Sequence, residues 1–332
     1  MRILFVAPGA QSGSHMPFVR REAEALRAAG HDVEIFGFDN RSYRNSLAEL
    51  RRLRAAVRHL RPDLVHAQFG KFNALLAAFG GAPLVVTFRG TDINRNVRYS
   101  LARAALGMLA SQLAACFARG IVCVSREIQA KVWACRWRPS LVVPTGVDLR
   151  LFRPADRAAA RRRLGYAADE RVVLFNAGKN PAVKDPDLAR AALVQARRLV
   201  GELRFVVLDG SARPEDVPVY MNAADVLLVT SFTEGSPTVV QEAMACNLPV
   251  VSVDVGDVRE RLQGVAACEV VAGRDPNELG NALVRALLGA KRSDGRTHAA
   301  ALGLEAIAER LAGFYRLALG RQGKAGLVLL DQ

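Results

Sequence analysis

Glu234 and Glu242, with seven residues between them, bracket the run of this 332-residue chain richest in groups that can do chemistry. The segment Thr230-Ser231-Phe232-Thr233-Glu234-Gly235-Ser236-Pro237-Thr238 leaves an aliphatic strand that ends at Val229. Ser236 followed by Pro237 predicts a helix start with a serine cap and proline in the first position. The free N–H groups of such a start, together with the helix dipole, suit an anion. Glu242 falls about five residues into that helix and Glu234 stays on the loop before it, so both carboxylates can face one cleft. A solvated loop acid followed by a helix-surface acid has the same spacing, and residue chemistry alone leaves both readings open.

Other candidates are weaker on context. Asp185-Pro186-Asp187 has a D-x-D pattern that suits a metal, yet it opens a helical stretch, where acids and an early proline are ordinary capping. No metal site is expected. The five cysteines, at 116, 123, 135, 246 and 268, are odd in number and form no CxxC pair, which fits free thiols in a reducing cytoplasm. His31 sits where a turn between helix and strand is expected, whereas His66 falls at a strand end, open to a cleft. Read as a glycosidase pair, Glu234 and Glu242 would have to flank one bond at a defined separation.

The elements that must carry these residues alternate along the chain. Short aliphatic runs at Ile3–Ala7, Val33–Phe38, Leu64–Ala67, Leu84–Phe88, Ile121–Val124 and Leu141–Val143 are separated by helical spacing such as Phe18–Ala29 and Leu47–Leu60. Continuous apolar runs of that length are what parallel strands covered on both faces look like. Turn chemistry at Pro144-Thr145-Gly146-Val147-Asp148 interrupts the pattern. It then restarts with strands at Val172–Asn176, Phe205–Leu208, Val226–Val229, Val250–Val253 and Glu269–Val271, and closes on helices at Asp275–Leu288 and Leu304–Leu319. This predicts an α/β chain of two doubly wound units, residues 1–150 and 151–303, with the helix at about 304–320 returning to the first. Ligands of open α/β sheets bind beyond the carboxyl ends of the strands, which places the expected site in a cleft between the units.

Charge is divided unequally. Residues 1–150 hold 22 Lys and Arg against 10 Asp and Glu, a net of +12; residues 151–332 hold 24 against 22, a net of +2. A basic first half suggests an anionic partner. The segment Leu47–Leu60 reads as a basic amphipathic helix, with Leu50, Leu53, Val57 and Leu60 on one face and arginines at 51, 52, 54 and 58. Asn94–Phe117, with Arg95, Arg98 and Arg103, offers a second patch. No nucleic-acid motif accompanies the arginines and few aromatics lie among them, so nucleic acid is not expected. No run approaches the ~20 apolar residues of a membrane span, and the apolar start Ile3–Ala7 is too short for a signal peptide.

The stretch from Asn222-Ala223-Ala224-Asp225-Val226 through Glu234-Gly235-Ser236-Pro237 and Glu242-Ala243-Met244-Ala245-Cys246 to Leu248-Pro249-Val250-Val251 and Val255-Gly256-Asp257 resembles the E-x7-E region of family 4 retaining glycosyltransferases of the GT-B type. Further matches come in the right order: Ser12-Gly13-Ser14-His15, Gly30-His31-Asp32-Val33, Pro62-Asp63-Leu64-Val65-His66, Thr87-Phe88-Arg89-Gly90-Thr91-Asp92 and Val143-Pro144-Thr145-Gly146-Val147-Asp148. Gly178-Lys179, five residues before Lys184, is similar to the family's Gly-Arg…Lys pair. The resemblance implies a GT-B fold, two Rossmann-like domains facing across a cleft, and transfer of a sugar from a UDP- or GDP-sugar to a glycan or lipid-linked acceptor in cell-envelope or exopolysaccharide assembly. It needs no cofactor beyond that donor. Carried over residue by residue, it implies that Lys179 and Lys184 neutralise the donor diphosphate. Glu242 holds the ribose, and Glu234 holds the sugar hydroxyls, with the N–H groups of Gly235 and Ser236 beside Pro237 and Thr238. Gly13 and Gly178 let backbone approach the phosphates, and His15, His66, Arg89 and Asp92 are candidates for the acceptor side.

Three departures from the family pattern matter. Lys179 stands where Arg is usual, keeping the charge without the bidentate grip. Arg89 stands where His is usual and cannot act as a base, although it can neutralise leaving-group charge or bind an acidic acceptor. Asn247 replaces a glycine, which suggests a left-handed turn that Asn tolerates. The segment between Phe205 and Asp225 is also short. A non-catalytic nucleotide-sugar-binding protein and a GT-B sugar-nucleotide epimerase are the alternatives on the same scaffold. The unpaired cysteines suit a cytoplasmic protein, and the resemblance implies lipid-linked acceptors, which the charge asymmetry suits if the protein sits peripherally on the anionic inner membrane face.

Overall fold

A computed structural model describes residues 1–9, 16–38, 45–94, 100–178, 181–289 and 291–320. The described residues form two compact units, Met1–Gly146 with the helix Leu304–Ala318, and Val147–Gly303. Among its described residues the first holds six parallel strands: β1 (Arg2–Pro8), β2 (Asp32–Phe38), β3 (Leu64–Ala67), β4 (Leu84–Phe88), β5 (Gly120–Cys123) and β6 (Ser140–Val142). They lie in the order β2-β1-β3-β4-β5-β6. Successive side chains of a strand point to opposite faces, and here both faces are covered. Leu4, Val6, Val65, Val86 and Ile121 pack with Leu53, Val57, Ala74 and Ala114 from helices Ser46–Leu60, Lys71–Ala78 and Leu101–Phe117. Ile3, Phe5, Leu64, Val85 and Val122 pack on the other side with Val19, Leu26, Leu311 and Phe314 from helices Pro17–Ala28 and Leu304–Ala318.

The second unit holds β7 (Val172–Asn176), β8 (Arg204–Leu208), β9 (Val226–Val229), β10 (Val250–Val253) and β11 (Glu269–Val271), in the order β8-β7-β9-β10-β11. The chain goes outward from β7 to β8, then crosses back to β9 on the far side of β7. That reversal is a topological switch point, and it opens a crevice beyond the carboxyl ends of β7 and β9. A single helix, Val217–Ala223, connects β8 to β9, in keeping with the short sequence there. Asn247 has φ 54°, the left-handed turn its sequence position suggested. Its side-chain oxygen accepts from the Arg296 N–H at 2.8 Å, a contact that the family's usual glycine has no side chain to make.

The helix Leu304–Ala318 reaches the first sheet at Gly120, where a Cβ would lie 2.9 Å from the Phe314 ring and 3.0 Å from Ala318 Cβ. Gly120→Val is therefore expected to force this helix off the sheet and to destabilise the protein by about 1–3 kcal/mol, read as a lowered urea midpoint with an unchanged m-value.

Candidate functional site

The switch-point crevice of the second unit gathers most of the charged residues of interest. Lys184 ends a short helix, Pro181–Lys184, that follows β7, and Glu234 lies on the loop that follows β9. Thr230, the first residue past β9, donates its hydroxyl to the carbonyls of Lys184 and Asp185, both at 2.8 Å. The two strand exits are thereby fixed against each other. Lys184 Nζ then donates to Glu234 Oε1 at 2.5 Å, and Ser231 Oγ donates to the same oxygen at 2.8 Å. Gly178, at the exit of β7, has φ 52° and its N–H donates to the Leu208 carbonyl and to Asn176 Oδ1.

Asp185 caps the helix Pro186–Val200, accepting from the Leu188 N–H at 3.2 Å, with Pro186 in the first turn, the capping role its sequence position suggested. Arg274, absent from any sequence pattern, spans the crevice floor. It donates to Asp185 Oδ2 (2.6 Å), the Thr230 carbonyl (2.8 Å) and the Ser231 carbonyl (2.9 Å), and stacks 4.3 Å over the Phe232 ring.

The Gly235-Ser236 turn is held from below. Ser236 was expected to cap the following helix, but it does not. Its hydroxyl donates to Asp257 Oδ2 at 2.8 Å and accepts from Gln241 Nε2 at 2.9 Å, so it is occupied by buried partners. Arg261 also donates to Asp257 Oδ2, at 2.7 Å, while burial pushes the Asp257 carboxyl up. Pro237 takes the cap position and the helix runs Thr238–Ala245 with no side-chain cap, leaving first-turn N–H groups for a ligand. Glu242 is half-buried on that helix. Gly256, with φ 58°, closes the shelf: a Cβ there would lie 2.9 Å from the Gly235 carbonyl and 3.2 Å from Glu234 Cβ.

In the first unit the candidates form a different kind of site. Arg89 leaves β4 with only 7% of its side chain in water and pairs with Glu22, 8% exposed, at 3.1 Å. It also donates to the Gln68 carbonyl (3.1 Å), to Gln68 Oε1 and to Thr145 Oγ1 (2.9 Å), and lies 4.4 Å over the Phe18 ring. Because Arg89 donates to Gln68 Oε1, the amide nitrogen of Gln68 faces Glu22 Oε1 (2.7 Å) and His66 Nδ1 (3.1 Å). His66 Nδ1 is thus an acceptor, also of the Tyr315 hydroxyl at 2.7 Å, and Nε2 carries the proton donated to Thr87 Oγ1 at 2.6 Å.

His66, expected to be open to an acceptor, is instead wholly buried. Burial and the nearby Arg89 charge push its pKa down to about 3, so it stays neutral. Asp92 is likewise buried. Its carboxylate accepts from the N–H groups of Gly70 (3.0 Å), Arg89 (3.1 Å) and Gly90 (2.8 Å), holding the loop that presents Arg89. Gly13, His15 and Lys179 lie outside the described residues. Sequence patterns passed over Glu22, Gln68 and Tyr315, which are far apart in the chain and carry no local signature; Asp257 lay within the matched Val255-Gly256-Asp257 string, its partner role unread.

Two parallel sheets of Rossmann type, with the crevice at the switch point of the second, are the arrangement of the GT-B fold. Sucrose-phosphate synthase from Thermosynechococcus elongatus has this fold, with a TM-score of 0.73, 21% identity, 97% of this chain and 100% of that chain covered. Anabaena HepE, solved with UDP and glucose, superposes with a TM-score of 0.70 at 21% identity over 94% of this chain and 98% of that one. Residues 18–151 match the Glycosyltransferase Family 4 domain and residues 157–288 the Glycosyl transferases group 1 domain. The D-inositol 3-phosphate glycosyltransferase of Thermobispora bispora is 30% identical over 309 residues, covering 79% of this chain and 72% of the relative. That of Catenulispora acidiphila is 30% identical over 311 residues, covering 79% and 74%. The chain belongs to glycosyltransferase family 4 and is a nucleotide-sugar glycosyltransferase of glycan biosynthesis.

Gly256→Ala should displace the Glu234 loop and lower kcat/KM by about tenfold or more, as expected for a misplacement of a few tenths of an ångström to an ångström at a positioning group. A variant with parental kcat/KM would show that the shelf is not needed. For His66, the folded state resists protonation down to about pH 3 while the unfolded state titrates near 6.5. Its contribution to stability is therefore full above that higher value and is lost as pH falls, by about 2 kcal/mol between about pH 7 and pH 5. His66→Gln should flatten the slope of unfolding free energy against pH in that window, whatever it does to stability at neutral pH.

Proposed function

We propose that the chain is a retaining, metal-independent hexosyltransferase that uses a UDP- or GDP-sugar and serves a glycan or lipid-linked acceptor in cell-envelope or exopolysaccharide assembly. The observation that carries this reading is the Lys184–Glu234 pair at the switch point of the second sheet. Both side chains keep a fifth or so of their surface in water, so a ligand can enter between them. A donor would draw Lys184 Nζ to its diphosphate and offer sugar hydroxyls to the freed Glu234 oxygens, with Glu242 on the ribose.

In the reaction the acceptor oxygen bonds to the anomeric carbon from the face that the nucleotide leaves, as the bond from that carbon to the β-phosphate oxygen breaks. The acceptor proton passes to the departing oxygen, and the configuration is kept. Lys184 and Lys179 offset the charge that grows on the diphosphate, which is the work a divalent cation does in metal-dependent transferases. The relatives at 30% identity act by name as transferases on an inositol phosphate, which favours transfer over the epimerase and binding-only alternatives and fits an anionic acceptor meeting a basic first half. The UDP in HepE favours UDP as the leaving nucleotide. All five cysteines are free, which suits a cytoplasmic protein, and the basic first half suits work at an anionic inner membrane face.

Lys184→Ala and Glu242→Ala should each lower kcat/KM by about 10²–10³-fold, with melting temperature nearly unchanged. Calorimetry should show UDP or GDP binding that Lys184→Ala weakens. Near-normal turnover in either variant sinks the site assignment. Loss of activity in EDTA sinks metal independence, and an inverted anomer in the product, read by NMR, sinks retention.

A further inference from the structure

The helix Leu101–Phe117 turns its large side chains outward. The face it packs against the sheet and the helix Lys71–Ala78 is built from Gly107, Ala110, Ser111, Ala114 and Ala115. Leu106, Leu109, Leu113 and Phe117, at three- and four-residue steps along one stripe, are instead 43–56% exposed, and Leu101 is exposed at the end. Arg103 is its only charged residue. A helix apolar on every side is normally buried or in contact with lipid, and exposed apolar stripes of this kind mark interaction surfaces.

Two tryptophans extend the stripe. The turn Trp133–Arg136 is tied to the helix by Gln112, which donates to the Lys131 carbonyl (2.8 Å) and accepts from the Trp133 N–H (3.0 Å), and Arg138 donates to the Cys116 carbonyl (2.9 Å). Trp133 and Trp137 are more than half exposed. Exposed Phe79 meets the Phe117 ring at 5.5 Å and widens the apolar face. Between Leu101 and Pro139 the chain carries Arg103, Arg119, Arg126, Lys131, Arg136 and Arg138 against the single acid Glu127.

We infer that this face docks on an anionic lipid leaflet, with the leucine stripe below the headgroups, the tryptophans at the interface and the arginines toward lipid phosphates. The inference deepens the proposed reading of an acceptor met at a membrane and rests on that part of it. It moves the contact away from the helix Ser46–Leu60, whose Leu53 and Val57 are buried. Arg52 of that helix is bound to Glu49 at 2.6 Å and Arg54 to the Phe79 carbonyl at 2.9 Å, so two of its four arginines serve the protein itself. A second copy is the poorer occupant, since pairing two such faces brings two sets of arginines together.

The chain's two tryptophans are the two on this face, so intrinsic fluorescence of the full chain reads the contact directly. Vesicles of phosphatidylcholine mixed with phosphatidylglycerol should shift emission to the blue, and bromine-labelled acyl chains should quench it, whereas phosphatidylcholine alone should do neither. Leu109→Glu/Leu113→Glu, and separately Arg119→Gln/Arg136→Gln, should weaken partition about tenfold or more while leaving UDP binding unchanged. No shift with anionic vesicles overturns the inference, as does an equal shift with neutral ones. A blue shift without vesicles that rises with protein concentration, together with a doubled mass by light scattering, assigns the face to a second copy and also overturns it. Retained UDP binding and transfer to a soluble acceptor in either case keeps the sugar-transfer reading separate from this one.

Discussion

Parallel strands cannot be joined by tight turns; each needs a crossover, and the crossover helices cover both faces of the sheet. In both units this leaves the buried strand interiors mainly to Val, Leu, Ile and Phe and leaves the polar residues of the site to the loops at the strand ends. Only at the carboxyl ends do the loops open, and only at the switch point do two neighbouring loops diverge enough to leave a crevice. Lys184, Glu234 and the Gly235-Ser236 shelf are where they are because β7 and β9 are neighbours whose connections run in opposite directions.

The two clusters of charge differ in what it costs to disturb them. The Lys184–Glu234 pair keeps about a fifth of its surface in water, so a ligand that replaces either partner meets a smaller desolvation cost than at a fully buried pair. Arg89 and Glu22 are almost fully buried, and breaking a buried pair by removing one partner costs about 3–5 kcal/mol. The first arrangement suits a group that must exchange its partner for a diphosphate. The second suits a scaffold that holds one geometry: Arg89 sets the Gln68 amide, the amide sets the His66 tautomer, and Tyr315 from the last helix closes the chain of bonds. A neutral His66 is what lets that chain be buried next to a guanidinium.

Backbone conformation supports both clusters where side chains alone would not. Asp185 sits at φ 51° so that one carboxylate can cap a helix and also receive Arg274. Gly256 leaves room for Gly235 to approach within contact distance, a space no other residue vacates.

All eleven strands and the four long helices named from the sequence were legible in it, because a buried strand is a short aliphatic run and a covering helix repeats its apolar residues every three or four positions. The motif around Glu234 and Glu242 was legible as well, being local in the chain. What the sequence did not disclose is everything that depends on partners distant in number. Ser236 looks like a cap until Asp257, 21 residues on, arrives beneath it; His66 looks open until Tyr315, 249 residues away, reaches its ring. The sequence offers Asn94–Phe117 as a basic patch and does not reveal that the large side chains of Leu101–Phe117 face outward, since small residues and large ones satisfy the same helical period. Local periodicity determines the elements; burial and hydrogen-bond partnership belong to the folded chain, because they are settled only when distant segments compete for the same space and the same donors.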